Sequence, residues 1–303
     1  LLYGEERVFI IIHIIWRYCF VRICGDENDN YNMIDILLST YNGEKYVEEL
    51  LESLNNQTYK DFNVIVRDDG STDRTLDIIK KYRDTNSLPI HILNDSLGNL
   101  GSTLSFETLM RNSKADYFMF CDQDDYWCEQ KIEISLKRMY ELESSSGEKA
   151  PCTVFTDLYV VDENLNIVND SFFKAARMPF DVVNDLYKAM AVSVAPGCTM
   201  LMNKWVLDYT LPIPKTVIHD FWIIVLTAKY GKVACLNVPT IKYRQHGNNS
   251  IGSTLSGKKY IYNRLRHVMS WFRVYHDFFA ALPFRVNYLK FAYWKLYYIF
   301  TRI

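Results

Sequence analysis

Three carboxylates stand within four residues in Phe120-Cys-Asp-Gln-Asp-Asp-Tyr-Trp127, namely Asp122, Asp124 and Asp125. Like charges this close repel unless a cation or a cluster of donors offsets them. Mg²⁺ takes one or two carboxylates together with phosphate oxygens, and Mn²⁺ also suits oxygen ligands. Asp122 and Asp124 are therefore candidates for a site that joins a metal to a diphosphate. The competing assignment is a helix N-terminus that favours acids, and Asp125 is expected to cap a helix opening near Trp127.

Four other clusters carry chemistry-bearing residues. Ser39-Thr-Tyr-Asn-Gly43 combines a glycine turn with Tyr41, whose flat ring suits a nucleobase, although an ordinary strand-to-helix turn reads the same way. In Arg67-Asp-Asp-Gly-Ser-Thr-Asp73 two adjacent acids precede a glycine turn. One can accept from a base N–H while the other caps a helix, or both can serve only the turn. His219-Asp-Phe-Trp222 opens a helix behind Pro212 and Pro214, so Asp220 is a cap, a general base, or both. Tyr243-Arg-Gln-His246 ends a strand; Arg244 suits phosphate, and His246 suits phosphate, a metal or plain packing.

The elements that must position these clusters alternate from residue 34 to about 138. Short apolar strands are expected at 34–38, 62–66, 89–93 and 117–121. Helices are expected at 44–54, from 71 to about 82, through 104–110 and from about 129 to 142. Such β-α repeats imply a parallel sheet with helices on both faces, and ligands then sit at the carboxyl ends of the strands. The first three clusters fall at such ends. After Ser144-Ser-Ser-Gly147 the pattern changes. A hairpin is expected from strands at 153–161 and 166–168, then helices near 181–192, 203–209 and 220–230, and strands at 233–237 and 240–243.

The 303 residues are 49% hydrophobic and 23% charged, which excludes global disorder. A net charge of −2 gives no sign of a polyanion-binding surface, and nucleic acid is not expected as a partner. The seven Cys show no zinc spacing, and a reduced, cytoplasmic chain is the simplest reading. The mean charge hides an asymmetry. Residues 258–303 hold nine Lys and Arg against the single acid Asp277, so this tail is +8 and the remainder is −10. The tail is also rich in Trp, Tyr and Phe. A basic, aromatic, helical segment reads as membrane-surface contact, and the alternative is a helical pair that packs its aromatics on the main domain. Residues 8–16 form an apolar run too short to span a bilayer and lacking a small-residue cleavage site. Residues 1–32 are expected to be an extension outside the catalytic fold, upstream of Met33.

Taken in order, Ile36-Leu-Leu-Ser-Thr-Tyr-Asn-Gly43, Arg67-Asp-Asp-Gly-Ser-Thr-Asp73, Asn99-Leu-Gly101, Asp122-Gln-Asp-Asp-Tyr-Trp127, His219-Asp-Phe-Trp222 and Tyr243-Arg-Gln-His246 resemble the family 2 glycosyltransferases of the GT-A fold. The set looks most like the bacterial rhamnosyltransferase branch, with Phe221 where a Trp is common. The resemblance covers residues 33–252. It implies a nucleotide-binding half over 33–143, an acceptor half over 144–252, and a mixed, mainly parallel sheet, with 253–303 as a basic helical tail. It also implies an inverting transferase that uses a nucleotide-activated sugar and Mg²⁺ or Mn²⁺. By that resemblance Thr40, Tyr41 and Asp69 contact the base, within a nucleotide-binding set that includes Asn42, Glu44 and Gly101. Asp122 then serves the ribose, Asp124 holds the metal, His246 completes its shell, and Asp220 is the general base. Arg244, His219 and Trp222 are candidate contacts to diphosphate or acceptor.

The same resemblance implies L-rhamnose from dTDP-rhamnose as donor, a lipid-linked cell-surface glycan as acceptor, and a place on the inner face of the cell membrane. Rivals are the same fold moving glucose, galactose or an N-acetylhexosamine, and a degenerate module that binds nucleotide or glycan without turnover. The joint presence of Asp122, Asp124 and Asp220 argues against the module. A nucleotidyltransferase would be expected to carry a basic, glycine-rich loop after the first strand, and Ser39-Thr-Tyr-Asn-Gly43 has neither Lys nor Arg.

Overall fold

A computed structural model describes residues 33–178, 182–183, 185–245 and 268–301. The candidate metal ligand His246 and the expected extension 1–32 lie outside the described residues. The first half alternates as its hydrophobic spacing requires: β1 (Ile34–Thr40), α1 (Val47–Asn55), β2 (Phe62–Asp68), α2 (Thr75–Thr85), β3 (Ile90–Ile92), α3 (Ser102–Asn112) and β4 (Tyr117–Asp122). In α1 the four apolar residues at helical spacing, Val47, Leu50, Leu51 and Leu54, are all fully buried. Strands β3, β2, β1 and β4 are parallel neighbours in that order. Ile34, Ile36, Leu37 and Leu38 in β1 and Phe118–Cys121 in β4 have no exposed surface, as expected of strands covered on both faces.

Beyond β4 the sheet becomes mixed. The chain continues through β5 (Tyr126–Trp127), α4 (Lys131–Ser144), β6 (Cys152–Val161), β7 (Ile167–Asn169), α5 (Phe172–Ala175), α6 (Leu186–Ala191) and β8 (Met200–Asn203). It then runs through α7 (Val206–Thr210), α8 (His219–Tyr230) and β9 (Lys232–Arg244). β8 lies antiparallel between β4 and β6, β9 runs parallel to β6, and β5 closes the far edge antiparallel to β9. This mixed α/β sheet with flanking helices is the GT-A architecture.

Several expected boundaries shift for identifiable reasons. The helix expected at 129 starts at Lys131, because Tyr126 and Trp127 pair with Lys242 and Ile241 as a strand. The strands expected at 233–237 and 240–243 are one strand, β9, with Pro239 set at a register irregularity opposite Asp157, where a missing N–H is tolerated. β8 was not expected; its four residues, Met200-Leu-Met-Asn203, are all buried and too short to show alternation.

The tail contains α9 (Val268–Ala281) and α10 (Tyr288–Thr301). Phe278 is buried against Phe221, with ring centroids 4.9 Å apart, and Phe291, Tyr298 and Ile299 bury the inner face of α10. Lys295 Nζ donates to the carbonyl of Ala191, at the end of α6, at 2.7 Å. Some of the tail's aromatics thus join the core, as the packing alternative requires.

Arg67, 1% exposed, joins the carboxyl end of β2 to the loop that follows β3. Its Nε donates to Asp95 at 2.9 Å and its Nη2 to the Gly98 carbonyl at 2.8 Å, while Nη1 pairs with Asp69. Replacing Arg67 with Met leaves Asp69 buried without its countercharge, so Arg67→Met is expected to cost about 3–5 kcal/mol in urea unfolding. Arg83→Met, which breaks the solvent-exposed pair with Asp84, is expected to cost at most about 1 kcal/mol in the same assay.

Candidate active site

Parallel pairing brings the first three clusters to one rim. Ser39 sits opposite both Arg67 and Asp122, and Thr40 sits opposite Asp68. The loops that leave these strands are stitched together by short polar side chains. Asn42, at φ 50°, donates its N–H to Ser71 at 2.9 Å and accepts from the Thr72 N–H at 2.8 Å. The Gly43 N–H donates to Thr75 and the Glu44 N–H to Asp73. Glu44 in turn accepts from the Arg74 N–H at 3.1 Å. Asp68 accepts from Thr40, Ser71 and the Gly70 N–H, so this acid of the adjacent pair serves the turn.

Asp69, the other acid, is 4% exposed. It accepts from Arg67 and from the N–H groups of Leu100 and Gly101, at 2.7 and 2.8 Å. A carboxylate offers about four acceptor positions, so Asp69 keeps one beyond these three bonds. Thr40 is buried beneath the loop, with its hydroxyl donating to Asp68. Tyr41 is different: it is half exposed, while its backbone N–H and C=O are clasped by the side-chain amide of Gln123 at 2.8 and 2.9 Å. That clasp needs Gly43, because a Cβ there would lie 2.2 Å from Gln123 Oε1. Gln123 stands inside the acidic motif, and sequence reading left it without a role. Its amide is what ties the β4 loop to the β1 loop.

The acids at the end of β4 separate by environment. Asp122 is half-buried, and its carboxyl is pushed up to about 7, first by burial and then by the charges of Asp124 and Asp220. Asp124 is also half-buried, and its carbonyl accepts from Arg244 Nε at 3.0 Å. Asp125 does not cap the helix near Trp127. It is 1% exposed, its two carboxylate oxygens have no hydrogen-bond partner among the described residues, and α4 begins six residues later. Burial raises its carboxyl well above the usual range. Ligand atoms of Asp122, Asp125 and Cys198 all lie within 4.8 Å of one another. Behind them Lys131 is buried with its ammonium 4.4 Å from the centre of the Trp127 ring, and burial lowers it to about 8.

Asp220 reaches this cluster from the first turn of α8. Burial pushes its carboxyl up to about 6, against the opposing pull of the backbone N–H groups of Phe221 and Gly197. The Phe221 N–H donates to its Oδ1 at 2.6 Å. Gly197 admits this approach: a Cβ there would lie 3.0 Å from His219 Nε2 and 3.7 Å from the Asp220 Cβ. No sequence motif marked Gly197 or Cys198, which enter from the unexpected turn before β8.

Three of the expected contact residues are buried. His219 is buried between the rings of Phe106 and Phe120, at 4.6 and 5.1 Å, and burial lowers it to about 4, so it is neutral at pH 7 and does not bind anions by charge. Trp222 is buried in the core, with its Nε1 donating to the Thr210 carbonyl at 2.8 Å. Arg244, 2% exposed, stacks over Tyr46 and bonds to Asp124, Glu163 and Glu49, so it braces the acidic loop from behind.

The fold is that of the GT-A class of glycosyltransferases. The family model for Glycosyl transferase family 2 matches residues 35–207, and the chain belongs to that family. It is 27% identical to the dTDP-rhamnosyl transferase RfbG of Shigella flexneri over 259 residues, which span 78% of this chain and 81% of that protein. The S. aureus TarS fragment 1–349 matches with a TM-score of 0.56 at 18% identity, covering 89% of each chain. Against a longer TarS structure the alignment spans 37% of that chain. The mannosyltransferase PcManGT from Pyrobaculum calidifontis, solved with GDP-Man and Mn²⁺, matches with a TM-score of 0.57 at 15% identity, covering 94% of this chain and 76% of its own. These structural likenesses establish the fold.

Gly43→Ala tests the clasp. Because the side-chain end of Gln123 can swing away, the fold is expected to survive with a melting temperature within a few degrees of wild type. The Tyr41 amide is expected to lose protection from hydrogen exchange by about tenfold, as one net hydrogen bond is lost. Unchanged protection at Tyr41 would show that the Gln123 amide does not hold the loop.

Proposed function

We propose that this chain transfers a sugar from a nucleoside-diphosphate donor to an acceptor hydroxyl with inversion at the anomeric carbon. The observation that carries the reading is the meeting of Asp122, Asp124 and Asp220 at the strand ends, with Asp220 held near 6 by burial. Tyr41 offers its exposed ring to the base, Asp69 keeps one acceptor position for a base N–H, and Asp122 takes the ribose. Thr40, Asn42, Glu44 and Gly101 shape the wall around them.

The chemistry requires a base and an electrophilic partner. An acceptor hydroxyl is a poor nucleophile, and Asp220 accepts its proton as the oxygen attacks the anomeric carbon from the face opposite the diphosphate. One displacement inverts that carbon, so a single base suffices, in contrast to the paired carboxyl groups of a retaining hydrolase. The donor set fits a hard divalent cation: Asp122 and Asp124 repel each other at a half-buried rim, and a cation relieves that repulsion. Asp124 would hold Mg²⁺ or Mn²⁺, which would offset the charge on the departing diphosphate. His246 stays as a proposed further ligand.

The extended match to a dTDP-rhamnosyl transferase supports L-rhamnose from dTDP-rhamnose as the donor. A second reading, a UDP-activated hexose or N-acetylhexosamine, is supported by the solved complex of TarS 1–349 with UDP-GlcNAc. The proposed acceptor is a hydroxyl of a lipid-linked cell-surface glycan, with the +8 tail in peripheral contact with the inner face of the cell membrane. Among the described residues no helix is long and apolar enough to cross a membrane. A panel of nucleotide sugars with Mn²⁺, scored for release of nucleoside diphosphate, tests the reading. dTDP-rhamnose is expected to lead, and a faster UDP-sugar would move the assignment to the second reading.

Asp220→Asn is expected to lower kcat by on the order of 10²–10⁴ while leaving donor affinity nearly unchanged. Collapse of donor affinity instead would make Asp220 a donor ligand. Asp220 must be ionised to act and its pKa is raised to about 6, so turnover is expected to be full above pH 7 and to fall as pH drops through about 6. A rate that stays flat from pH 7.5 to about 5 would remove Asp220 as the base. Asp124→Ala is expected to abolish the Mn²⁺-dependent part of nucleoside-diphosphate affinity in calorimetry, and retention of that part would place the metal elsewhere.

A further inference from the structure

α10 has two faces of different character. Its inner face packs on the body of the enzyme through Phe291, Tyr298 and Ile299. Its outer face carries Leu289, Tyr293, Leu296, Tyr297 and Phe300, at i, i+4, i+7, i+8 and i+11, which is one stripe along a helix. These five are 84%, 61%, 52%, 45% and 53% exposed. A contiguous row of large apolar side chains in water is unusual for a surface with no partner. At the start of the same helix, the turn between α9 and α10 forms an open hollow of about 560 Å³. Phe279, Leu282, Phe284, Val286 and Tyr288 line it, and Arg285 adds an exposed cation.

We propose that this stripe and hollow are the surface by which the enzyme docks on an anionic lipid bilayer, with α10 lying in the plane of the interface. The proposal rests on the reading that the tail contacts a membrane, and it assigns the face that does so. Three observations favour lipid over a second copy of the chain. Residues 258–303 carry nine basic residues and one acid, so pairing two tails would bring like charges together, whereas anionic headgroups complement them. Tyr293 and Tyr297 carry amphipathic rings that suit the boundary between headgroup and acyl chain, and Leu289, Leu296 and Phe300 supply the apolar part that inserts. The hollow sets Phe279, Leu282 and Val286 beside the Arg285 guanidinium, which suits a lipid phosphate. The cations do not all face outward, because Lys295 is spent on Ala191 and Tyr275 and Lys290 pairs with Asp185. Those two cations are engaged within the protein, so at α10 itself the apolar stripe carries the contact.

Flotation of the full chain with phosphatidylglycerol-containing vesicles, against phosphatidylcholine alone, tests this. Wild type is expected to float with the anionic vesicles, less so at high salt. A triple variant Leu289→Ser, Tyr293→Ser, Phe300→Ser is expected to lose at least about tenfold in partitioning, because three partly exposed apolar side chains no longer insert. Its melting temperature is expected to stay near that of wild type, and so is its release of nucleoside diphosphate with soluble donor and acceptor. Val168→Ser, at an exposed apolar residue on β7, is expected to float like wild type. If the triple variant floats as well as wild type, the stripe is not the docking face even though the membrane reading stands. If wild type fails to float at low salt, the membrane reading itself falls. A stripe-dependent dimer in light scattering, without flotation, would make a second copy the occupant and overturn the proposal.

Discussion

The site is built around the cost of holding four carboxylates together at the edge of a low-dielectric core. Asp122, Asp124, Asp125 and Asp220 converge where β4 ends and α8 begins. Charge in such a place is expensive unless it is paired, hydrogen-bonded or neutralised by protonation. The protein answers differently for each acid. Asp220 has the backbone N–H groups of Phe221 and Gly197 and settles near 6. Asp122 is raised to about 7 by burial and by its neighbours' charges. Asp125, fully enclosed, has only the nearby Lys131 and the Cys198 thiol. Asp124 sits on a loop whose backbone is held from behind by Arg244.

Much of the surrounding structure keeps these acids where they are. Arg67 holds Asp69, Asp95 and the Gly98 carbonyl, which ties the loop that follows β2 to the loop that follows β3. The Gln123 clasp on Tyr41 and the set from Asn42 to Asp73 tie the β1 and β2 loops to the acidic loop. Arg244 ends β9 and joins Glu49 in α1 to Asp124 and Glu163. A rim preorganised in this way spends little energy on rearrangement when charge develops on a leaving group.

The parallel half of the sheet was legible because its strands are short apolar runs separated by helical spacing and turn residues. The convergence of the first three clusters was legible for the same reason, since parallel strands carry their carboxyl ends to one edge. The second half was harder to read. β8 and β5 are four and two residues long, too short for periodicity, and their pairing depends on long-range register. The fate of the polar residues was the least legible. Arg244, His219 and Trp222 are types that bind ligands or brace a core equally well, and only burial separates the two outcomes. Gln123, Gly197 and Cys198 gained roles from contacts across the sheet that no local spacing records.

We propose that the acidic rim gathers a hard cation and a nucleoside diphosphate at Asp124 and Asp122, with Asp220 left as the base. An anomalous-difference map from crystals soaked with Mn²⁺ and a nucleoside diphosphate tests it most directly. One Mn²⁺ peak beside Asp124 and the diphosphate is expected, with the ribose against Asp122 and no metal on Asp220. A peak seated among Asp122, Asp125 and Cys198, or a nucleotide bound with no metal at Asp124, would contradict it.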